Sequence, residues 1–114
     1  MRKESRVELL QGTLDMLELR TLVSGPLHGY DVLERNRQLS EEVIQVEEGS
    51  LYPSLHRMEE RGLILSDWGV SQNNRKARYY KLTRHGRKHL DQQRTSWMRL
   101  SRAITKVVVE RATV

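Results

Sequence analysis

The chain has 114 residues, no cysteine, a net charge of +5 and an isoelectric point near 9.9. This length accommodates one small domain with a short extension, and the lack of cysteine excludes disulfides, thiolate zinc sites and cysteine nucleophiles. No segment approaches the roughly 18 consecutive apolar residues of a membrane span, and the start of the chain lacks the apolar region of a signal peptide. We therefore expect a cytoplasmic protein without membrane contacts, and no pattern indicates a cofactor.

The first predicted helix spans residues 7–24 and has a wide apolar face. Leu10, Leu14 and Leu17 recur at helical spacing beside a second apolar row. Gly25-Pro26 should end this helix, because proline has no amide hydrogen and disfavours a helical conformation in the residue before it. A helix with such a face belongs at the centre of the domain.

A second helix is expected from His28-Gly29 to Leu39, with His28 as a cap or turn residue. Tyr30, Val32 and Leu33 are its predicted apolar contacts, so Tyr30 is interpreted as a core residue rather than a contact for a binding partner. Residues 40–48 then form an acidic connection, which we expect to face away from any polyanion.

The third helix, residues 47–62, has two chemically distinct faces. Leu51, Leu55 and Met58 share one side at 100° per residue. The other side carries Tyr52, Pro53, His56, Arg57 and Glu60. One face is thus predicted to enter the core, while the other is available to a partner.

The ends of this helix follow from proline and glycine. Pro53 fits the first turn if Gly49 or Ser50 caps the helix, because amides in that turn have no intrahelical acceptor. Gly62 should end it. The helix N-terminus would then favour an anion such as a DNA phosphate.

Positive charge is concentrated just after this helix. Residues 69–90 contain no Asp or Glu but carry Arg75, Lys76, Arg78, Lys81, Arg84, Arg87 and Lys88. These seven charges exceed the net charge of the whole chain, so the remainder sums to −2. Such localised charge is typical of nucleic-acid binding.

The basic segment contains a predicted hairpin. Strands at residues 63–70 and 77–82 flank a polar turn whose Asn73-Asn74 tolerates left-handed conformations. Trp68 is expected to pack against the hairpin. Three helices followed by a two-stranded wing predict a mainly α (α+β) winged helix-turn-helix.

Thr83 is the predicted cap of a long last helix that runs to about residue 110. Its apolar residues recur at heptad spacing: Leu90, Trp97, Leu100, Ile104 and Val107. We interpret this stripe as a homodimer interface. The alternative is that the stripe folds back on Leu10, Leu14 and Leu17 of the same chain.

Five stretches resemble one protein family. They are GTLDMLELRTL (12–22), GPLHGYDV (25–32), VEEGSLYPSLHRMEERGLI (46–64), WGVSQNNRKARYYKLTRHGRKHL (68–90) and the tryptophan-bearing tail. Together they cover about nine-tenths of the chain and are similar to the PadR-type bacterial transcriptional regulators, in the short subtype with a single C-terminal helix. The resemblance implies a DNA-binding domain at residues 1–82 and a dimerisation helix at residues 83–114.

The resemblance also implies a repressor that binds a palindromic operator. By position, Ser50, Tyr52 and Pro53 begin the recognition helix, and residues 73–76 form the wing tip. Base contacts are expected from His56 and Arg57, and phosphate contacts from Ser50, Tyr52, Lys76 and Arg78. The predicted DNA-binding residues are Ser50, Tyr52, Pro53, His56, Arg57, Asn73, Asn74, Arg75, Lys76 and Arg78. Some members sense aromatic compounds at the dimer seam, which makes Trp97 the candidate ligand-binding residue beside plain dimer packing.

Other functions remain as alternatives. A winged helix can dock a protein or bind RNA, although the chain lacks an array of aromatic residues for stacking unpaired bases. His85 and His89 are four residues apart and allow a metal-responsive regulator, but no third ligand is evident. An enzyme is not expected, because no nucleophile elbow, phosphate-binding glycine loop or zinc-protease motif is present.

Overall fold

The computed structural model describes residues 11–109, which form four helices and a three-stranded antiparallel sheet. In chain order the elements are α1 (Gln11–Thr21), β1 (Leu27–His28), α2 (Gly29–Leu39), α3 (Glu48–Glu60), β2 (Ile64–Val70), β3 (Lys76–Leu82) and α4 (Arg84–Val108). Strand β3 lies between β1 and β2. Three helices, a hairpin and a long last helix confirm the predicted winged helix-turn-helix fold.

The core lies where the first three helices meet the base of the hairpin. Its buried apolar members are Leu19, Leu22, Val32, Leu51, Leu55, Met58, Leu63, Ile64, Tyr80 and Leu90. All four helices and both long strands contribute residues to this cluster. Leu22 and Leu63 lie just outside α1 and β2, respectively. The cluster therefore fixes α3 and the hairpin relative to each other.

Helices α1 and α2 follow the predicted order with shifted ends. Residues 7–10 lie outside the described residues, and α1 ends at Thr21, ahead of Gly25-Pro26. Helix α2 has the predicted bounds, and His28 is its cap because Nδ1 accepts a hydrogen bond from the Asp31 amide at 3.4 Å. The prediction for Tyr30 was wrong: its side chain is 57% exposed, since it stands on the side of α2 opposite the buried Val32.

Strand β1 is an element that the sequence did not predict. Leu27 pairs with Tyr80 and His28 with Tyr79, so the segment after Pro26 adds a third strand to the hairpin. The rings of His28 and Tyr79 also meet edge to face, with 5.4 Å between their centroids. The start of α2 is thereby attached to the base of the wing.

Helix α4 starts inside the domain and then leaves it. Thr83 caps it as predicted, since its hydroxyl accepts a hydrogen bond from the Gly86 amide at 2.8 Å. Gly86 lies directly on the Leu63 carbonyl, where any Cβ would collide. Leu90 is buried in the core of its own chain, which corrects its assignment to a dimer interface, because a side chain covered on all sides has no surface left for a second chain.

None of the helices in residues 11–109 combines the length and apolar character that crossing a membrane requires.

Candidate nucleic-acid interface

Helix α3 separates its two faces as its sequence predicts. Leu51, Leu55 and Met58 are completely buried, and this burial fixes the rotation of the helix about its axis. The outward side exposes Ser50, Tyr52, Pro53, His56 and Arg57. Five of the residues assigned to DNA contact therefore lie on one accessible surface.

The start of α3 differs from the prediction. The amides of Ser50 and Leu51 both donate to the Glu47 carbonyl, at 3.0 and 3.1 Å, so Glu47 and not Gly49 or Ser50 is the N-cap residue. Pro53 then lies in the second turn. The predicted span of residues 47–62 agrees with α3, but the cap was placed two or three residues too late because Pro53 was assigned to the first turn.

Acidic residues occupy the N-terminus of α3. Glu48 is in the first turn, directly after the N-cap Glu47, and both side chains are exposed. These carboxylates already offset the positive end of the helix dipole. The acidic segment therefore continues into α3 instead of ending in the preceding connection, and the expected phosphate contact at this helix end stays a prediction.

The two basic residues of the outward face differ in their surroundings. His56 Nε2 lies 3.2 Å from a carboxylate oxygen of Glu60, one turn further along. Arg57 is exposed, and its guanidinium makes no hydrogen bond within residues 11–109. The Arg57 guanidinium is thus available to an external acceptor, whereas His56 must share its ring nitrogen with Glu60.

The wing tip is a tight turn closed by backbone hydrogen bonds. The Ser71 amide donates to the Arg75 carbonyl at 2.8 Å, and the Asn74 amide donates to the Ser71 carbonyl at 2.9 Å. Asn74 has φ +60°, the left-handed conformation predicted for this position. Asn73, Asn74 and Arg75 are exposed at the end of the hairpin.

Two wing cations share one aromatic ring. The Arg78 guanidinium lies 5.2 Å and the Lys76 ammonium 5.5 Å from the centroid of the Trp68 ring. Trp68 contacts the hairpin as predicted, but its side chain is 57% exposed because the wing extends beyond the helices at this point. This group of three residues was not recognised in the sequence, although alternation places Trp68 beside Arg78 in register.

A chain of hydrogen bonds joins the wing to α3. Arg78 Nε donates to Ser66 Oγ at 3.0 Å, and the Ser66 hydroxyl donates to Glu59 Oε2 at 2.7 Å. Above these contacts is a cleft of about 420 Å³, lined by Tyr52, His56, Glu59, Glu60, Arg78 and Tyr80. The recognition helix and the wing therefore form the two sides of this cleft and belong to one continuous surface.

The Tyr52 ring packs against Gly29 at the start of α2. An added Cβ on Gly29 would lie 2.5 Å from Tyr52 Oη, so glycine is required for this packing. Partial burial, followed by the nearby Glu48 carboxylate, raises the pKa of Tyr52, and burial likewise raises the pKa of Tyr80. Both phenols therefore remain neutral at physiological pH and act as hydrogen-bonding groups.

A buried carboxyl group anchors α3 to α1. Glu18 is inaccessible, and its Oε1 lies 2.5 Å from Ser54 Oγ, which is also 2.9 Å from the Leu51 carbonyl. Burial raises the pKa of Glu18 to about 8, against the opposing effect of the Ser54 hydrogen bond. A protonated Glu18 can donate to Ser54 while Ser54 donates to Leu51, which satisfies both contacts with one hydrogen each.

The histidine pair of α4 does not form a metal site with other side chains. Among residues 11–109 there is no group of three or more potential ligands. His89 instead lies 3.3 Å from the Gln93 amide nitrogen, and burial, followed by the charge of Arg61, lowers its pKa.

The rest of the α4 stripe is exposed on the single chain. Trp97, Leu100, Ile104 and Val107 all have about half or more of their side-chain surface accessible. Their exposure shows that they are not packed against Leu14 or Leu17 of α1, whereas Leu10 lies outside the described residues. The expected burial of Trp97 is therefore not achieved within one chain.

Comparison with known proteins places these features in a family. Residues 19–92 match the model of the transcriptional regulator PadR-like family. The chain belongs to this family. A PadR family transcriptional regulator from Eggerthella lenta is 30% identical, with a TM-score of 0.72 over 89% of this chain and 86% of that one. A transcriptional regulator from Clostridium thermocellum is 28% identical, with a TM-score of 0.77 over 86% of this chain and 95% of that one.

A curated relative supports the same assignment. The transcriptional regulator Rv3488 of Mycobacterium tuberculosis is 37% identical over 68 residues, which are 60% of this chain and 63% of the relative. As a PadR-like protein the chain is a DNA-binding transcriptional regulator and not an enzyme.

Proposed function

We propose that the protein is a dimeric repressor that binds an inverted-repeat operator in the cytoplasm. The observation that supports this most strongly is the common surface formed by the outward side of α3 and the basic wing, joined through Glu59, Ser66 and Arg78. Two such surfaces related by two-fold symmetry would enter successive major grooves about 34 Å apart. Each half of a symmetric site would then be bound by the α3 helix of one chain.

Within each half-site the residues have different roles. Arg57 is the principal reader of base edges, because its guanidinium is exposed and can donate two hydrogen bonds to guanine. His56 assists it. Phosphate and sugar contacts that fix the register come from the remaining predicted residues: Ser50, Tyr52, Pro53, Asn73, Asn74, Arg75, Lys76 and Arg78.

Substitutions on α3 and on the wing should therefore have different consequences. Arg75→Ala combined with Lys76→Ala should weaken binding to all duplexes about equally and reduce the slope of log K against log salt by about 1.8, or 0.9 for each lost phosphate contact. Arg57→Ala should instead cost about 1–3 kcal/mol on the preferred operator and much less on random duplex. Fluorescence anisotropy on both duplexes at several salt concentrations measures these effects.

The same titrations test the proposal itself. A protein-docking winged helix would bind duplex weakly, and its interactions would respond little to salt. If both variants changed specificity and salt slope alike, the division between base reading and phosphate anchoring would be wrong.

The dimer is assigned to α4. Residues 83–114 supply the second chain's contacts in this proposal, and residues 1–82 supply the DNA surface, although the start of α4 also packs into the core through Leu90. A stripe of exposed Trp97, Leu100 and Ile104 on a helix that projects from the domain is efficiently covered by a second copy.

An aromatic effector would act at the seam of this dimer. Two Trp97 side chains facing each other across the two-fold axis would border a site for a planar aromatic cation, bound by stacking and by cation–π attraction. Occupation of that site would change the separation of the two α3 helices. A coupling of about 1–3 kcal/mol is sufficient to alter operator affinity roughly 5–150-fold.

Tryptophan fluorescence can test the effector. The chain has two tryptophans, so a Trp68→Phe background leaves Trp97 as the only reporter. We expect saturable quenching by a planar aromatic cation together with weaker operator binding. Unchanged fluorescence across a panel of such cations would contradict the proposed site.

A further inference from the structure

The exposed tryptophan of the wing has no role in the function described so far. Trp68 is on β2, opposite Arg78 of β3, on the face of the hairpin that continues from the buried Ile64 and Tyr80. Toward the base of the wing this face is covered by α3, but at Trp68 it is open. A large apolar side chain that is 57% exposed on a DNA-binding surface calls for a physical reason.

The contacts of Trp68 supply that reason. Both Lys76 and Arg78 place their charged groups within 6 Å of its ring centroid, the distance range of cation–π attraction. Without the ring, two long and flexible side chains would sample many rotamers at the exposed end of the hairpin. With it, both charges are held on the same side of the wing.

Arg78 is fixed from a second direction. Its Nε donates to the Ser66 hydroxyl, and this hydroxyl donates to the Glu59 carboxylate of α3. These two hydrogen bonds fix the orientation of the guanidinium relative to the recognition helix. Within residues 11–109 only this nitrogen of the guanidinium is hydrogen-bonded. The two terminal amino groups therefore remain for an external acceptor, at an orientation set by Trp68 and Ser66.

We propose that Trp68 is a positioning residue, whose indole ring holds Lys76 and Arg78 in the arrangement that contacts the phosphate backbone beside the half-site read by α3. This inference rests on the proposed DNA-binding function. It adds that the wing presents two preorganised phosphate ligands in place of two independent flexible cations, which lowers the entropy lost on binding.

The first test replaces the ring by an aliphatic side chain. Trp68→Leu should weaken binding to a generic duplex about three- to tenfold and reduce the slope of log K against log salt by up to about 1.8, while the melting temperature stays close to that of the wild type. Trp68→Phe should restore most of the affinity and slope, because it retains an aromatic face. Leu65→Ala, an exposed apolar truncation on the other face of the same strand, is the matched control and should change neither quantity.

A double-mutant cycle separates positioning from direct contact. If Trp68 acts through the two cations, Trp68→Leu should have no further effect in a protein that already carries Lys76→Ala and Arg78→Ala. Additive losses would instead assign the ring a direct contact with DNA and overturn the inference.

Failure of the inference is distinguishable from failure of the proposed function. If the wild-type protein bound duplex without salt dependence, the DNA-binding function itself would be contradicted. If the wild type bound as expected but Trp68→Leu retained its affinity and slope, only the role of Trp68 would be rejected.

Discussion

Ile104→Glu is expected to convert the protein to a monomer and to abolish tight binding to an inverted repeat. Ile104 is half exposed in the middle of the projecting part of α4. In a symmetric dimer through this stripe, the Ile104 side chains of both chains would be buried. Losing two buried isoleucines costs about 3 kcal/mol before the two buried carboxylates are counted, so the dimer dissociation constant should rise at least about 100-fold. Sedimentation velocity over a concentration series measures this directly.

Thr95→Glu is the matched control for that substitution. It introduces the same charge on the same helix, but an exposed Thr95 lies on the side of α4 opposite the stripe. This variant should remain dimeric and bind the operator normally. Dimers that persist in Ile104→Glu would place the second chain elsewhere and contradict the assigned interface.

Glu18→Gln should stabilise the protein at neutral pH and remove part of its pH dependence. The native carboxyl has a pKa of about 8, against 4.5 for the unfolded chain, so unfolding releases a proton between these values. The stability due to the neutral carboxyl is complete below pH 4.5 and is lost as the pH rises toward 8. A permanently neutral amide avoids this loss, so the gain should reach about 3 kcal/mol at pH 7 and stay below about 1 kcal/mol at pH 5.

Urea unfolding at pH 5, 7 and 8 measures the difference between the two proteins. His89, whose pKa is lowered, contributes equally to both and therefore cancels from the comparison. Glu41→Gln removes an exposed carboxylate from the α2–α3 connection and should change stability by less than about 0.5 kcal/mol. A difference between Glu18→Gln and wild type that does not vary with pH would show that Glu18 is ionised in the native state.

Much of this architecture could be predicted from local patterns. The apolar spacing of Leu51, Leu55 and Met58, the cap at Thr83 and the left-handed Asn74 each depend on interactions within a few residues. Period and turn chemistry determine such features, so the sequence is sufficient to locate them. The polar face of the recognition helix followed in the same way.

The features that were missed depend on partners far away in the sequence. Strand β1 has two residues, too few to show alternation, and exists because Tyr79 and Tyr80 pair with it. Leu90 shares the heptad spacing of the stripe, but the approach of Gly86 to Leu63 brings it into the core. The spacing of apolar residues alone could not distinguish a residue that is buried within its own chain from one that would be buried by a second chain.

The same limit applied to the candidate interface. Its side chains could be listed from the sequence, but the hydrogen bonds that link Glu59, Ser66 and Arg78 join two elements whose distance the sequence does not give. The cap of α3 was placed at Gly49 or Ser50 instead of Glu47, because Pro53 was assigned to the first turn. The frequent occurrence of proline in the first turn of helices was misleading here, because the first helical hydrogen bonds are accepted by the Glu47 carbonyl.

Selection of bound sites from random duplex DNA by the purified wild-type protein tests the central claim most directly. We predict enrichment of an inverted repeat whose half-sites are separated by about one helical turn, since two α3 helices would lie about 34 Å apart in a symmetric dimer. Recovery of sequences without two-fold symmetry, or no enrichment over the starting pool, would contradict the account.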